Sequence, residues 1–129
     1  MDKPKKKIIY FEDDKDMVEL VRIILDREGY LVEGVSGGKS GIEAIQKDSP
    51  DLVLLDLMLP DMDGWEIFRQ LKSVESTANI PVIVITAKAQ SIDKVLGLEI
   101  AKVDDYISKP FRPKELLTRI EEVLLARES

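Results

Sequence analysis

Five side chains able to do polar chemistry stand at or just beyond the ends of short apolar runs. Glu12 and Asp13 follow Ile8-Ile9-Tyr10-Phe11, and Asp56 follows Leu52-Val53-Leu54-Leu55. Thr86 closes Val82-Ile83-Val84-Ile85, and Lys109 comes shortly after Tyr106-Ile107. Carboxylates 4 Å apart repel by roughly 4 kcal/mol per pair at an effective dielectric of about 20, so three on one edge call for a cation. The chain has no His and no Cys, which leaves only hard oxygen ligands. Such a set suits Mg2+, completed by waters and a phosphoryl oxygen. Thr86 then offers a hydroxyl donor, and Lys109 a positive charge, to the same phosphoryl group. The missing residue types also exclude an imidazole base, a catalytic triad, a thiolate nucleophile, a disulfide and a Cys or His zinc site. Each residue has a plainer reading when taken alone. An acidic residue after a strand is solvated or caps the next helix, as for Asp14 and Asp16; a Thr ending a strand is a β-former; a Lys before Pro is surface. Their joint placement is what favours a site.

Whether they meet depends on the elements that carry them. The four runs above read as strands, and Tyr30 to Val35 reads as another, which makes five. Between them, Met17 to Glu28 has helical apolar spacing, with Gly29 expected as the residue just past its C-cap. Ile42, Ala44 and Ile45 suit a short helix that stops before Pro50. Ile67, Phe68 and Leu71 mark a third helix after Pro60 and Gly64. Ile92 to Ile100 reads as a fourth, and Glu115 to Ala126 as the last. Alternation of this kind predicts an α/β fold, a doubly wound five-stranded parallel sheet flanked by five helices. All strand C-termini then share one edge, where such sheets bind ligands near a topological switch point.

The 129 residues suit a single domain spanning 1–129. With 25 acidic against 19 basic residues the net charge is −6, which argues against direct binding of nucleic acid or an anionic membrane through overall charge. The apolar runs are too short to span a bilayer, and the charged stretch Met1 to Lys7 does not read as a signal segment. A cytoplasmic location is expected.

Four segments carry a family resemblance: Ile-Ile-Tyr-Phe-Glu-Asp-Asp (8–14), Pro-Asp-Leu-Val-Leu-Leu-Asp-Leu-Met-Leu-Pro-Asp-Met-Asp-Gly (50–64), Pro-Val-Ile-Val-Ile-Thr-Ala (81–87) and Asp-Asp-Tyr-Ile-Ser-Lys-Pro-Phe (104–111). In this order and spacing the chain resembles a receiver domain of a two-component response regulator, from about Lys6 to Leu125. The resemblance implies a flavodoxin/CheY-like fold and phosphorylation of Asp56 by a sensor histidine kinase. It implies Mg2+ held by Asp13, Asp56 and the main-chain carbonyl of Met58, with Glu12 acting through water. Thr86 and Lys109 match the phosphate-contacting pair, Ala87 falls beside Thr86, and Tyr106 matches the switch aromatic. The Lys109–Pro110 bond is cis in the family, which proline makes inexpensive at about 0.5–1 kcal/mol. Two departures stand out. The acidic pair is Glu-Asp rather than Asp-Asp, and Ile100-Ala101-Lys102-Val103 is one residue longer than usual and lacks the Gly-Ala of the family.

A P-loop nucleotide-binding module is the alternative, since Gly34-Val35-Ser36-Gly37-Gly38-Lys39-Ser40 lies between a strand and a helix. Against it, Glu33 stands where the pattern needs its first glycine. A Mg2+-dependent phosphatase built on Asp61-Met62-Asp63-Gly64 is disfavoured because Pro60 separates that motif from the strand. An EF-hand fails because Leu59 would be its first ligand.

The expectation is therefore a switch and not an enzyme acting on a separate substrate: self-phosphorylation from a donor and slow self-dephosphorylation only. Thr86 is expected to move to the phosphoryl group and Tyr106 to turn inward. The face made by the fourth helix, fifth strand and fifth helix then changes to control a downstream effector domain or protein. Lys94, Asp104, Asp105 and Arg119 resemble the charged face through which OmpR-like receivers pair, a candidate homodimer face on phosphorylation.

Overall fold

The strands form where the sequence runs apolar and β-branched, and each connection carries the chain back to start the next strand in the same direction. The computed structural model describes residues 5–87 and 96–128. The elements are β1 (Lys6–Phe11), α1 (Lys15–Asp26), β2 (Tyr30–Val35), α2 (Gly38–Lys47), β3 (Leu52–Leu55), α3 (Gly64–Ser73), β4 (Val82–Thr86), a π-helical segment (Leu96–Ala101), β5 (Asp105–Ser108) and α4 (Pro113–Glu128). Every strand pairing is parallel, in the order β2-β1-β3-β4-β5. The order reverses between β1 and β3, so the switch point lies between the strands that end at Glu12 and Asp56. No helix among the described residues is long and apolar enough to cross a membrane.

The period of two along each strand sorts the core into two layers. Ile8, Tyr10, Leu52, Leu54, Ile83, Ile85 and Ile107 face α1 and α4, where Val21, Leu25, Leu116 and Ile120 receive them. Ile9, Phe11, Val53, Leu55, Val82, Val84 and Tyr106 face the other way, onto Ile45 of α2 and Ile67 and Leu71 of α3. Covered on both sides, β3 and β4 are buried along their whole length, which is why they read as unbroken apolar runs. Helix α1 begins at Lys15 because the Asp14 carboxylate accepts from the amides of Asp16 and Met17. It ends with Arg27 as C-cap, so Gly29, whose φ is +86°, sits one position later than expected.

The expected fourth helix, Ile92 to Ile100, falls partly outside the described residues. Residues 92–95 lie outside the described residues, and Leu96–Ala101 is π-helical. A π turn encloses one residue more than an α turn. The chain then turns through Lys102 at φ 62°, a left-handed conformation held without glycine. The described residues thus hold four α-helices and one π-helical segment.

Candidate phosphoacceptor site

The sheet's hydrogen bonding continues past the strand ends and fixes the site backbone. The Glu12 amide donates to Val35 O at 3.0 Å, the Asp56 amide to Phe11 O at 3.1 Å, and the Lys109 amide to Thr86 O at 3.0 Å. Each polar residue is therefore held by the strand beside it, not by a free loop. The Lys109–Pro110 bond is cis, as expected.

These side chains meet around one carboxylate. Asp56 is 5% exposed. Its Oδ1 accepts from the Met58 amide at 2.9 Å and from the Thr86 hydroxyl at 3.0 Å, while its Oδ2 accepts from Lys109 Nζ at 2.8 Å. Lys109 also donates to Glu12 Oε1. Glu12 is 3% exposed; the same Oε1 accepts from the Tyr10 hydroxyl at 3.2 Å, and Oε2 accepts from the Asp14 amide at 3.3 Å. Desolvation pushes the Asp56 carboxyl up, but the hydrogen bonds from Lys109, Met58 and Thr86 outweigh it and hold the group below its ordinary range, ionised at neutral pH. Burial raises Glu12, with Lys109 only partly opposing it. Burial also pulls the Lys109 ammonium down, and its bonds to Asp56 and Glu12 more than restore it. The arrangement is an ionised, nearly buried carboxylate flanked by a hydroxyl and an ammonium.

The expected convergence of three carboxylates is only partly realised. Among the described residues no three acidic side chains gather in a metal-ligand group. Glu12 is turned inward to Lys109 and Tyr10, whereas Asp13 stays exposed at the edge. Asp13, Asp56 and the Met58 carbonyl remain as hard oxygen donors, and three carboxylates against one ammonium leave a local charge of −2. Mg2+ takes one or two carboxylates and keeps several waters, so this donor set fits it. The loop carrying Met58 is pressed against Gly64: a Cβ there would stand 2.4 Å from Leu57 Cα and 3.1 Å from Asp56 O. Only glycine permits that approach.

The two residues expected to switch are already inward. Tyr106 is 3% exposed in the layer facing α2 and α3, and the Thr86 hydroxyl already reaches Asp56. Ala87 is exposed beside them.

The P-loop reading fails on geometry. The amides of Gly38 and Lys39, which would cradle a phosphate, are capped at 2.9 Å and 3.5 Å by the Asp61 carboxylate. This anion from the chain itself fills the place at the start of α2. Asp63 caps α3 through the Trp65 amide at 2.7 Å, a turn role and not a nucleophilic one. Of the charged face, Lys94 lies outside the described residues. Asp105 pairs with Arg119 at 2.6 Å, and Asp104 pairs with Arg127 at 2.9 Å, so these charges are matched within the chain.

Two residues lie outside the sequence-based site. Tyr10 stands two residues before Glu12, and continuation of the strand period past the end of β1 puts both on the same face. Asp61 caps the start of α2, a partner too far away in sequence to be read locally.

The family model described as "Response regulator receiver domain" matches residues 8–121. The DNA-binding response regulator MtrA of Mycobacterium tuberculosis is 41% identical over 120 residues, 93% of this chain and 51% of MtrA. The alkaline phosphatase synthesis transcriptional regulatory protein PhoP of Bacillus subtilis is 40% identical over 119 residues, 92% of this chain and 48% of PhoP. The chain thus spans about half the length of these curated relatives. The crystal structure of a CheY-like response regulator receiver domain protein from Methanospirillum hungatei superposes with a TM-score of 0.87 at 32% identity, covering 96% of this chain and 97% of that one. The chain therefore belongs to the receiver domain family of two-component response regulators, phosphorylatable signalling switches.

Proposed function

We propose that Asp56 is the phosphoacceptor and that Thr86 and Lys109 bind the oxygens of the incoming phosphoryl group. The observation that carries this is the set of donors gathered on one buried carboxylate from three directions: Met58, Thr86 and Lys109. A carboxylate oxygen of Asp56 bonds to phosphorus as the bond from phosphorus to the imidazole nitrogen of a kinase phosphohistidine breaks, and that nitrogen takes up a proton. Lys109 offsets charge that builds on the equatorial oxygens. Mg2+, held by Asp13, Asp56 and the Met58 carbonyl with Glu12 acting through water, supplies further positive charge when bound. The chain accepts a phosphoryl group, releases it slowly to water, and turns over no separate substrate.

In this reading phosphorylation changes the acceptor of the Thr86 hydroxyl from Asp56 to a phosphoryl oxygen. Thr86 and Tyr106 are already inward, so the modification holds a set of contacts the chain can already form, with Ala87 shifting beside them. The surface of the π-helical segment, β5 and α4 then acts on an effector domain or protein. MtrA is named as DNA-binding and PhoP as a transcriptional regulator. The effector, and not this acidic chain, makes any nucleic-acid contact. The module spans 1–129 as one domain and works in the cytoplasm, opposite a sensor histidine kinase. The test is Asp56→Asn incubated with acetyl phosphate and Mg2+. Intact-mass measurement is expected to show one phosphoryl group on the wild type and none on the variant; equal labelling overturns the assignment.

A further inference from the structure

The site contains one buried polar group that phosphoryl transfer does not use, the hydroxyl of Tyr10. Tyr10 is fully buried in the layer facing α1 and α4, so its ring is immobilised by packing. Strand period places it on the same face as Glu12, and its hydroxyl donates to Glu12 Oε1, the oxygen that Lys109 also holds. Of the three donors to this carboxylate, Tyr10 and Lys109 draw it inward, and the third is the Asp14 amide. A cleft of about 420 Å3 that includes Glu12, Asp13, Lys15, Arg22 and Ser36, but neither Asp56 nor Met58, opens beside the end of β1. Glu12 is held inward on Lys109, while the neighbouring Asp13 is exposed to water at the edge.

We propose that Tyr10 is a positioning residue whose hydroxyl keeps Glu12 on Lys109, so that Glu12 reaches Mg2+ only through water and not as a direct ligand. This rests on the reading of Asp13 and Asp56 as the metal-binding carboxylates. A buried carboxylate stripped of a donor is costly to leave in place. Without the hydroxyl, Glu12 gains by moving to the water and cation at the edge. Affinity for a hard cation follows the number of carboxylate charges that reach it, so losing the hydroxyl tightens binding.

The test is calorimetric titration of unphosphorylated protein with MgCl2, comparing wild type, Tyr10→Phe, Glu12→Gln and the double variant, with thermal melts alongside. Tyr10→Phe keeps the ring and is expected to tighten the Mg2+ dissociation constant about threefold. In the Glu12→Gln background the same change is expected to have no effect. Tyr10→Met, a second way to remove the hydroxyl, is expected to shift the constant in the same direction. A tyrosine that only packs would lower the melting temperature and leave the constant alone. An unchanged or weaker constant in both Tyr10 variants, or an equal shift in the Glu12→Gln background, overturns the proposal while the phosphoacceptor reading stands. A wild type that binds no Mg2+ overturns both.

Discussion

Lys109 Nζ lies 2.8 Å from Asp56 Oδ2 and on its other side holds Glu12, so one ammonium from beyond β5 holds together carboxylates from the ends of β1 and β3. The sheet order explains how: β1 and β3 are neighbours, β4 and β5 are neighbours, and the long lysine side chain crosses the end of β4. Removing this cation leaves two nearly buried negative charges facing one another. Repulsion and lost pairing then act in the same direction.

Lys109→Ala is therefore expected to lower the unfolding free energy by about 2–3 kcal/mol, less than a fully buried broken pair because the site opens to water. The signalling loss is expected to be larger than the folding loss, since the phosphoryl group also loses its counter-charge. Urea unfolding gives the first quantity. Amide chemical-shift differences between phosphorylated and unphosphorylated forms give the second. A variant whose two forms still differ as in the wild type would remove Lys109 from the switch.

Lys102 adopts φ 62° just after the π-helical segment, a conformation that costs a non-glycine residue roughly 1–2 kcal/mol. Glycine recovers that cost but loses more entropy on folding. Lys102→Gly is expected to raise the unfolding free energy by about 0.5–1 kcal/mol, while Lys102→Ala, which keeps the Cβ, changes it little. Urea midpoints of the three proteins are the measurement. A destabilised glycine variant would mean that the Lys102 side chain contributes more than its backbone conformation costs.

Some of this was legible in the sequence because the information is local. β2 and β3 fall where the apolar runs place them, and Asp56, Thr86 and Lys109 meet because parallel strands bring their ends together. The element boundaries moved where polar residues took structural roles. β1 starts at Lys6 because Lys6 and Lys7 pair in register with Tyr30 and Leu31 despite their charge. α4 starts at Pro113, whose fixed φ suits a first helical turn. The π-helical segment was not legible, since apolar spacing does not distinguish it from an α-helix over so few residues. Nor was the inward turn of Glu12, which depends on how Tyr10 and Lys109 compete with the open edge. The Asp61 cap on α2 depends on the loop after β3 folding back, which no local pattern encodes.

The same dependence governs the face expected to pair two copies. Arg119 and Asp105 are matched within one chain at 2.6 Å, as are Arg127 and Asp104 at 2.9 Å. A dimer through this face must exchange those partners across its axis, and exposed pairs contribute only about 0–1 kcal/mol each. Two-fold symmetry makes every exchanged contact occur twice, so one substitution removes two of them. Pairing is expected to appear on activation, because a changed position of β5 relative to α4 alters which partner Arg119 reaches. Sedimentation velocity with and without beryllofluoride is the measurement: the activated chain is expected to shift towards dimer, and Arg119→Ala to weaken that dimer about fivefold. A chain that stays monomeric at high micromolar concentration when activated would assign this face to the effector, and so would a dimer indifferent to Arg119→Ala.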